Sequence, residues 1–256
     1  MNSPYGELPF VDQDKPVAVA LGGGVAVIKR TPAESAARNS AAIHSVWRIH
    51  ANGDATVDVD VSVNGTSAVR WQDWLERISD STRADAATKI LRESGYRGKA
   101  ELSYPKVHRK TLHQTLQIKS NIKDFLNDTE AGTVLVHPRF SYLGEYIGPG
   151  FGHSATSRIY SKTCLSVTRT EDFEIIFDPD FMITRIPKGV KIEGVDGISF
   201  ISNYHLDRNI IKGNRTLILN HPSNICSPED YIRRKPTLDL ITQHLRKVVL
   251  YQSNSK

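Results

Sequence analysis

The chain has 256 residues, a formal net charge of +5, 39% hydrophobic and 24% charged residues, the make-up of a globular protein long enough to bury a core. Two cysteines exclude a disulfide framework and a cysteine-rich zinc centre, and no run reaches the ~18 apolar residues of a membrane-spanning helix. The Lys and Arg residues are scattered, with Arg233-Arg234-Lys235 the densest run, which argues against a nucleic-acid-binding face.

Residues 1–36 are rich in Pro, Gly and Ala, with two apolar runs at 17–21 and 25–28 around Gly22-Gly23-Gly24. A glycine triplet between apolar runs predicts a strand-turn-strand or a wrapping arm. No Gly-Lys-Ser/Thr follows, so the triplet is not a phosphate loop. Residues 31–39 read as a linker.

From 43 to 50 the chain alternates, with Ile43, Ser45, Trp47 and Ile49 on one face. Asn52-Gly53 predicts a tight hairpin turn with both residues at positive φ. Ala55, Val57, Val59, Val61 and Val63 then share a face, completing a half-buried antiparallel hairpin. Trp71, Trp74, Leu75 and Ile78 recur at helical spacing. Ser81 or Thr82 is the predicted cap of a second helix carrying Ala87, Ile90 and Leu91, with Gly95 as its stop. Strands are expected at 99–104 and at 112–119, where Leu112, Gln114, Leu116 and Ile118 share a face. The order β-β-α-α-β-β predicts helices on one side of an antiparallel sheet.

Beyond a loop at 140–153, strands are expected at 159–168, 173–177, 181–186, 191–194, 198–205 and 216–220, punctuated by Gly, Pro and Asp as in a sandwich. Ser227 and Pro228 open a final helix with good N-terminal chemistry. Pro236 is expected to split or kink it, and Leu238, Ile241, Leu245, Val248 and Val249 to share its buried face. The predicted class is α+β and mainly β: antiparallel sheets arranged like a sandwich, a two-helix insertion and a C-terminal helix. The predicted divisions are an arm (1–36), an α+β part (37–145) and a β-sandwich part (146–256), the last two able to form one module.

Pro4-Tyr5-Gly6-Glu7-Leu8-Pro9, running through Asp14-Lys15-Pro16-Val17-Ala18-Val19 to Arg30-Thr31-Pro32, resembles the segment that follows the catalytic aspartate in bacterial transglutaminase-like proteins of the papain-like cysteine hydrolase superfamily. The hairpin at 54–65, the helical stretch at 71–94 and Gly95-Tyr96-Arg97-Gly98 are similar to the next parts of that pattern. So are Ile175-Ile176-Phe177, Val190, 198–204 and 215–219, and Pro228 and Tyr231 near the terminal helix. The resemblance implies a β-rich, non-catalytic C-terminal region, with Met1 just past the family's aspartate and the Cys-His-Asp core upstream. It implies that core as a partner, a protein or cell-envelope polymer as a second one, and an extracytoplasmic site. None of the family's catalytic residues has a counterpart here.

Among residues read on their own chemistry, the loop aromatics Tyr142, Tyr146, Phe151 and His153 are the candidate partner-binding set, since aromatics interleaved with glycine can stack against a partner. The competing reading is a plain connection between sheets. Cys226, ahead of a helix N-terminus with His221 and Asp230 nearby, is a candidate thiol nucleophile set against a buried structural cysteine. Asp58 and Asp60 on one strand face, with Asp54 and Asn64, could share a hard cation, though a solvated strand face carries such residues anyway. The nine histidines show no zinc-binding spacing, and neither metal nor cofactor is expected. Trp71 and Trp74 read as core rather than as a groove wall.

Overall fold

The computed structural model describes residues 8–107, 111–136 and 158–254, and is mainly β with helices, an α+β fold. Among the described strands, β1 (Pro16–Gly22) and β2 (Val25–Arg30) pair only with each other. Then follow β3 (Ser40–Ile49), β4 (Ala55–Asn64), α1 (Thr66–Leu75), α2 (Arg83–Glu93), β5 (Arg97–Ser103), β6 (His113–Lys123) and β7 (Ala131–Leu135). The later part supplies β8 (Lys162–Thr163), β9 (Val167–Phe177), β10 (Phe181–Arg185), β11 (Val190–Glu193), β12 (Ile198–Asp207) and β13 (Ile210–Leu219). It closes with β14 (Ile225–Cys226), α3 (Pro228–Leu245) and β15 (Val248–Ser253).

Among the described residues the main sheet has eight strands, in the order β11-β12-β13-β9-β3-β4-β6-β5. Strands from 37–145 and from 146–256 meet in it through the parallel pair β3–β9, Ser40 beside Thr168 and Ile49 beside Phe177. Period-two alternation makes the sheet one-sided. On β4 Ala55, Val57, Val59, Val61 and Val63 are buried, while Thr56, Asp58, Asp60 and Ser62 face out. Each buried valine stabilises the fold by roughly 1.5–3 kcal/mol relative to exposure.

Among the described residues three covers close the apolar face. Helices α1 and α2 lie on the β4–β6–β5 end, and α3 on the β11–β12–β13 end through Leu238, Ile241 and Leu245. The three-stranded sheet β10-β15-β7 supplies Phe181 and Tyr251, whose rings stand 6.1 and 5.7 Å from that of Phe177.

The apolar interior is in two clusters, and a buried polar strip runs across the sheet between rows that belong to each. Arg169, Glu171 and Arg215 are 0, 3 and 1% exposed, and Glu171 and Arg215 are register partners that form an ion pair. Arg169 donates to Ser67 Oγ at 2.7 Å and to the carbonyls of Asn39 and Thr168. The Arg215 guanidinium lies 4.9 Å from the centre of the Phe173 ring. That ring covers Gly213, its partner across the sheet, where any Cβ would collide with it.

Several expectations are corrected. The β3–β4 turn is longer than the two-residue type: Gly53 N–H donates to the His50 carbonyl at 2.9 Å, and of Asn52 and Gly53 only Gly53 has positive φ, +83°. This is the left-handed glycine of a three-residue hairpin loop. Thr82 holds the N-cap position of α2 as expected but makes no side-chain cap there; with Ser79 it instead closes a capping box around a single 3-10 turn (Asp80–Thr82). The strand expected at 159–168 divides into β8 and the start of β9, which runs unbroken through the gap to Phe177. α3 is not split by Pro236. The carbonyl that the proline leaves unbonded belongs to Ile232, 58% exposed, so that flank of the helix faces solvent. Val248 and Val249 leave the helix and open β15, because α3 is capped at Arg246 and β-branched residues suit an extended strand.

Candidate functional site

Among the described residues nothing buries the β1–β2 hairpin: Val17, Val19 and Val27 are half-buried and its other side chains are exposed. Val17 and Val19 stand opposite Lys29 and Val27 on one face, Ala18 and Ala20 opposite Ile28 and Ala26 on the other. No strand residue is buried, and Leu21, Val25 and Ile28 are 60, 57 and 74% exposed. A two-stranded hairpin is marginal in water by itself. This one is held at its root. Arg30 donates to Asp14 Oδ1 at 2.9 Å, and Ser223 and the Asn224 backbone donate to Asp14 Oδ2 at 2.9 and 3.2 Å. Asn224 also donates to buried Gln13 at 3.1 Å. The hydrogen bonds from Arg30 and then Ser223 hold the Asp14 carboxyl below its ordinary range.

The open face of the main sheet is polar, and the register gathers one row across it: Asn214, Asp172, His44, Asp60 and Gln117. Asn214 donates to Asp172 at 2.6 Å, Gln117 to Asp60 at 2.6 Å, and His44 stands between the two carboxylates. A shallow groove of about 570 Å³ runs along it, walled by Ala42, Ser62, Tyr104 and Pro105.

Cys226 lies just ahead of α3, whose N-cap is Ser227 in a capping box with Asp230. It is bonded to Cys164, with the two Cα atoms 5.8 Å apart, so the thiolate that a nucleophile requires is absent. The pair β8–β14 sets this juxtaposition, Cys226 opposite Lys162 and Ile225 opposite Thr163. Arg234 Nη1 lies 2.6 Å from Cys226 Sγ, and Arg234 Nε donates to Asp196 at 2.8 Å. Burial raises the Asp196 carboxyl, but the hydrogen bonds from Arg233 and Arg234 outweigh it and leave the group below its ordinary range. The His221 ring nitrogens are sealed from solvent and have no hydrogen-bond partner among the described residues. Burial, then the charge of Arg234, lowers the His221 pKa to about 4, so the imidazole is neutral at pH 7.

The other anticipated sites are not assembled. Asp58 accepts from Arg48 at 2.9 Å, Asp60 from Gln117, and Asp54 from Lys123 at 2.5 Å, so these carboxylates do not converge on a cation. Trp71 and Trp74 are half-buried, edge-to-face at 5.5 Å, against the core. The basic run is neutralised within the fold: Arg233 pairs with Asp196 and Asp230, Arg234 with Asp196, and Lys235 with Asp239. Tyr142, Tyr146, Phe151 and His153 lie outside the described residues. Sequence reasoning missed the groove row, since only register brings its residues together, and the nearness of His221 to both cysteines. No family model, no curated protein and no solved structure matches this chain.

Proposed function

We propose that this chain is a non-catalytic accessory module of a transglutaminase-like protein, and that the β1–β2 hairpin is the element that docks on a Cys-His-Asp hydrolase core. The observation that carries this reading is the hairpin itself, apolar on both faces and held, among the described residues, at its root. Exposed aliphatic side chains grouped on one projecting element mark a surface that a partner covers. The hairpin also falls within the opening segment that resembles the family. The Cys164–Cys226 bond suits an oxidising, extracytoplasmic compartment and leaves the hydrolase alternative without its nucleophile.

The test is a titration of the chain against a separately expressed core from the parent protein, followed by calorimetry. Saturable binding that the double change Val19→Asp and Ile28→Asp abolishes is the expected result. Equal binding by wild type and variant, or none by either, overturns the docking reading. A second reading, a stand-alone binding module for a protein or glycan, is favoured by the polar groove around His44. It predicts saturable binding of soluble cell-envelope glycan fragments that Asp60→Ala weakens without loss of fold. An unchanged affinity removes the groove from consideration.

A further inference from the structure

We propose that Cys164, Cys226 and His221 form a redox-gated site for a thiophilic divalent cation, the donor set being suited to Zn²⁺. The three donor atoms already lie within 4.8 Å of one another. A tetrahedral zinc ion with bonds of about 2.0–2.3 Å would need them roughly 3.5–3.8 Å apart, which the two sulfurs reach by side-chain rotation once the bond between them is broken. Both His221 ring nitrogens are buried without a partner among the described residues, a costly arrangement that an ion at this point would relieve for the nitrogen that binds it. Zinc sites commonly combine imidazole with thiolates, the donor types gathered here.

The donors are also held by contacts other than the sulfur–sulfur bond. Cys164 N–H donates to the Asn224 carbonyl at 2.8 Å, and Cys226 is fixed between β14 and the capping box of α3. His221 N–H donates to buried Ser166 Oγ at 3.0 Å. Arg234 Nη1 lies 2.6 Å from Cys226 Sγ, a donor within reach of a sulfur ligand at that position. With only 7 and 4% of the two cysteines exposed, a macromolecular disulfide exchange partner has poor access, whereas an ion is small enough to enter.

In the first step a dithiol is oxidised to its disulfide, or a phosphine and one water to the phosphine oxide; the two electrons break the sulfur–sulfur bond, and the two protons released complete two thiols. Zn²⁺ then displaces both thiol protons to solvent, giving two thiolate bonds and one imidazole bond, with the fourth position open to water. The disulfide form offers a single imidazole and does not retain the ion.

The experiment uses the full chain, reduced with a phosphine under anaerobic conditions and titrated with Co²⁺ as the spectroscopic probe for Zn²⁺. One equivalent should produce the thiolate-to-cobalt charge-transfer band and the visible ligand-field bands of a tetrahedral ion, and Zn²⁺ should bleach both. The oxidised chain should show neither. His221→Gln should weaken affinity by at least about tenfold, as the loss of even a group that only supports a ligand does. Cys164→Ser should abolish the charge-transfer band in any redox state. Circular dichroism runs alongside: if reduction unfolds the chain, Zn²⁺ should restore the folded signal. The proposal is overturned if reduced wild type shows no thiolate band, if His221→Gln binds as tightly as wild type, or if Zn²⁺ fails to refold a chain that reduction has unfolded.

Discussion

β4 and the β1–β2 hairpin draw on the same valines and alanines and meet opposite fates. In β4 every second residue is polar, so the strand has a wet side and a dry side, and the dry side is sealed by α1 and the neighbouring strands. In the hairpin apolar residues fill both sides, and neither side is sealed. The contrast teaches that hydrophobic content alone does not locate a core. Alternation commits a strand to one buried face, and its absence in an exposed hairpin leaves apolar surface for another molecule to cover.

The sharpest way to break this comparison is inside the sealed region. Glu171→Ala leaves Arg215 buried with its counter-charge gone, and should cost about 3–5 kcal/mol in chemical denaturation. A loss under about 1 kcal/mol would mean that water reaches the strip and that the interior is less closed than its burial implies.

Acid should separate the two regions next. The His221 pKa falls from 6.5 to about 4 on folding, so between these values the unfolded chain binds the extra proton. This contribution is fully present above pH 6.5 and is lost as pH falls towards 4, up to roughly 3 kcal/mol in all. The hairpin root responds lower. The Asp14 carboxyl sits below its ordinary value of 3.8, so its bonds to Arg30 and Ser223 are lost only as pH drops beneath that value. Denaturation against pH for wild type and His221→Phe checks the order; burial also lowers His244, so some slope between pH 6.5 and 4 remains, and a slope unchanged by the substitution refutes the assignment.

The smallest effect belongs to the hairpin. Ile28→Ser should change thermal stability by less than about 0.5 kcal/mol, since a 74% exposed side chain loses little. A cost of several kcal/mol would show that the hairpin is covered after all.

Much of the fold was legible because burial has a period. Trp47 and Ile49 on β3, the valines of β4, and Leu116 and Ile118 on β6 all point where alternation places them. β15 was not legible in this way. Val248 and Val249 continue the helical spacing of Leu238, Ile241 and Leu245 in α3, and a short apolar run does not declare its own conformation.

The candidate sites were legible only in part. Cys226 ahead of a capped helix can be read from Ser227 and Pro228, but its bond to Cys164 depends on a two-residue strand pair that carries no periodic signal. The row through His44 is set by register between strands far apart in sequence, and alternation within one strand cannot reveal it. The hairpin strands could be read from the apolar runs around the glycine triplet. That nothing described covers them is a property of the whole fold, which local pattern does not encode.

The parallel pairing of β3 with β9 also sets a timetable for folding. Arg169 reaches the Asn39 carbonyl 130 residues away, and Ser40 waits for Thr168. Contacts of such long range slow folding, because the intervening chain must be ordered before they form. During synthesis β3 can pair with β4 at once, but its other edge stays open until β9 has left the ribosome. An unpaired edge of this kind is a template for pairing with other chains. The interval between the emergence of β4 and that of β9 is therefore a stage at which the nascent protein is exposed to aggregation.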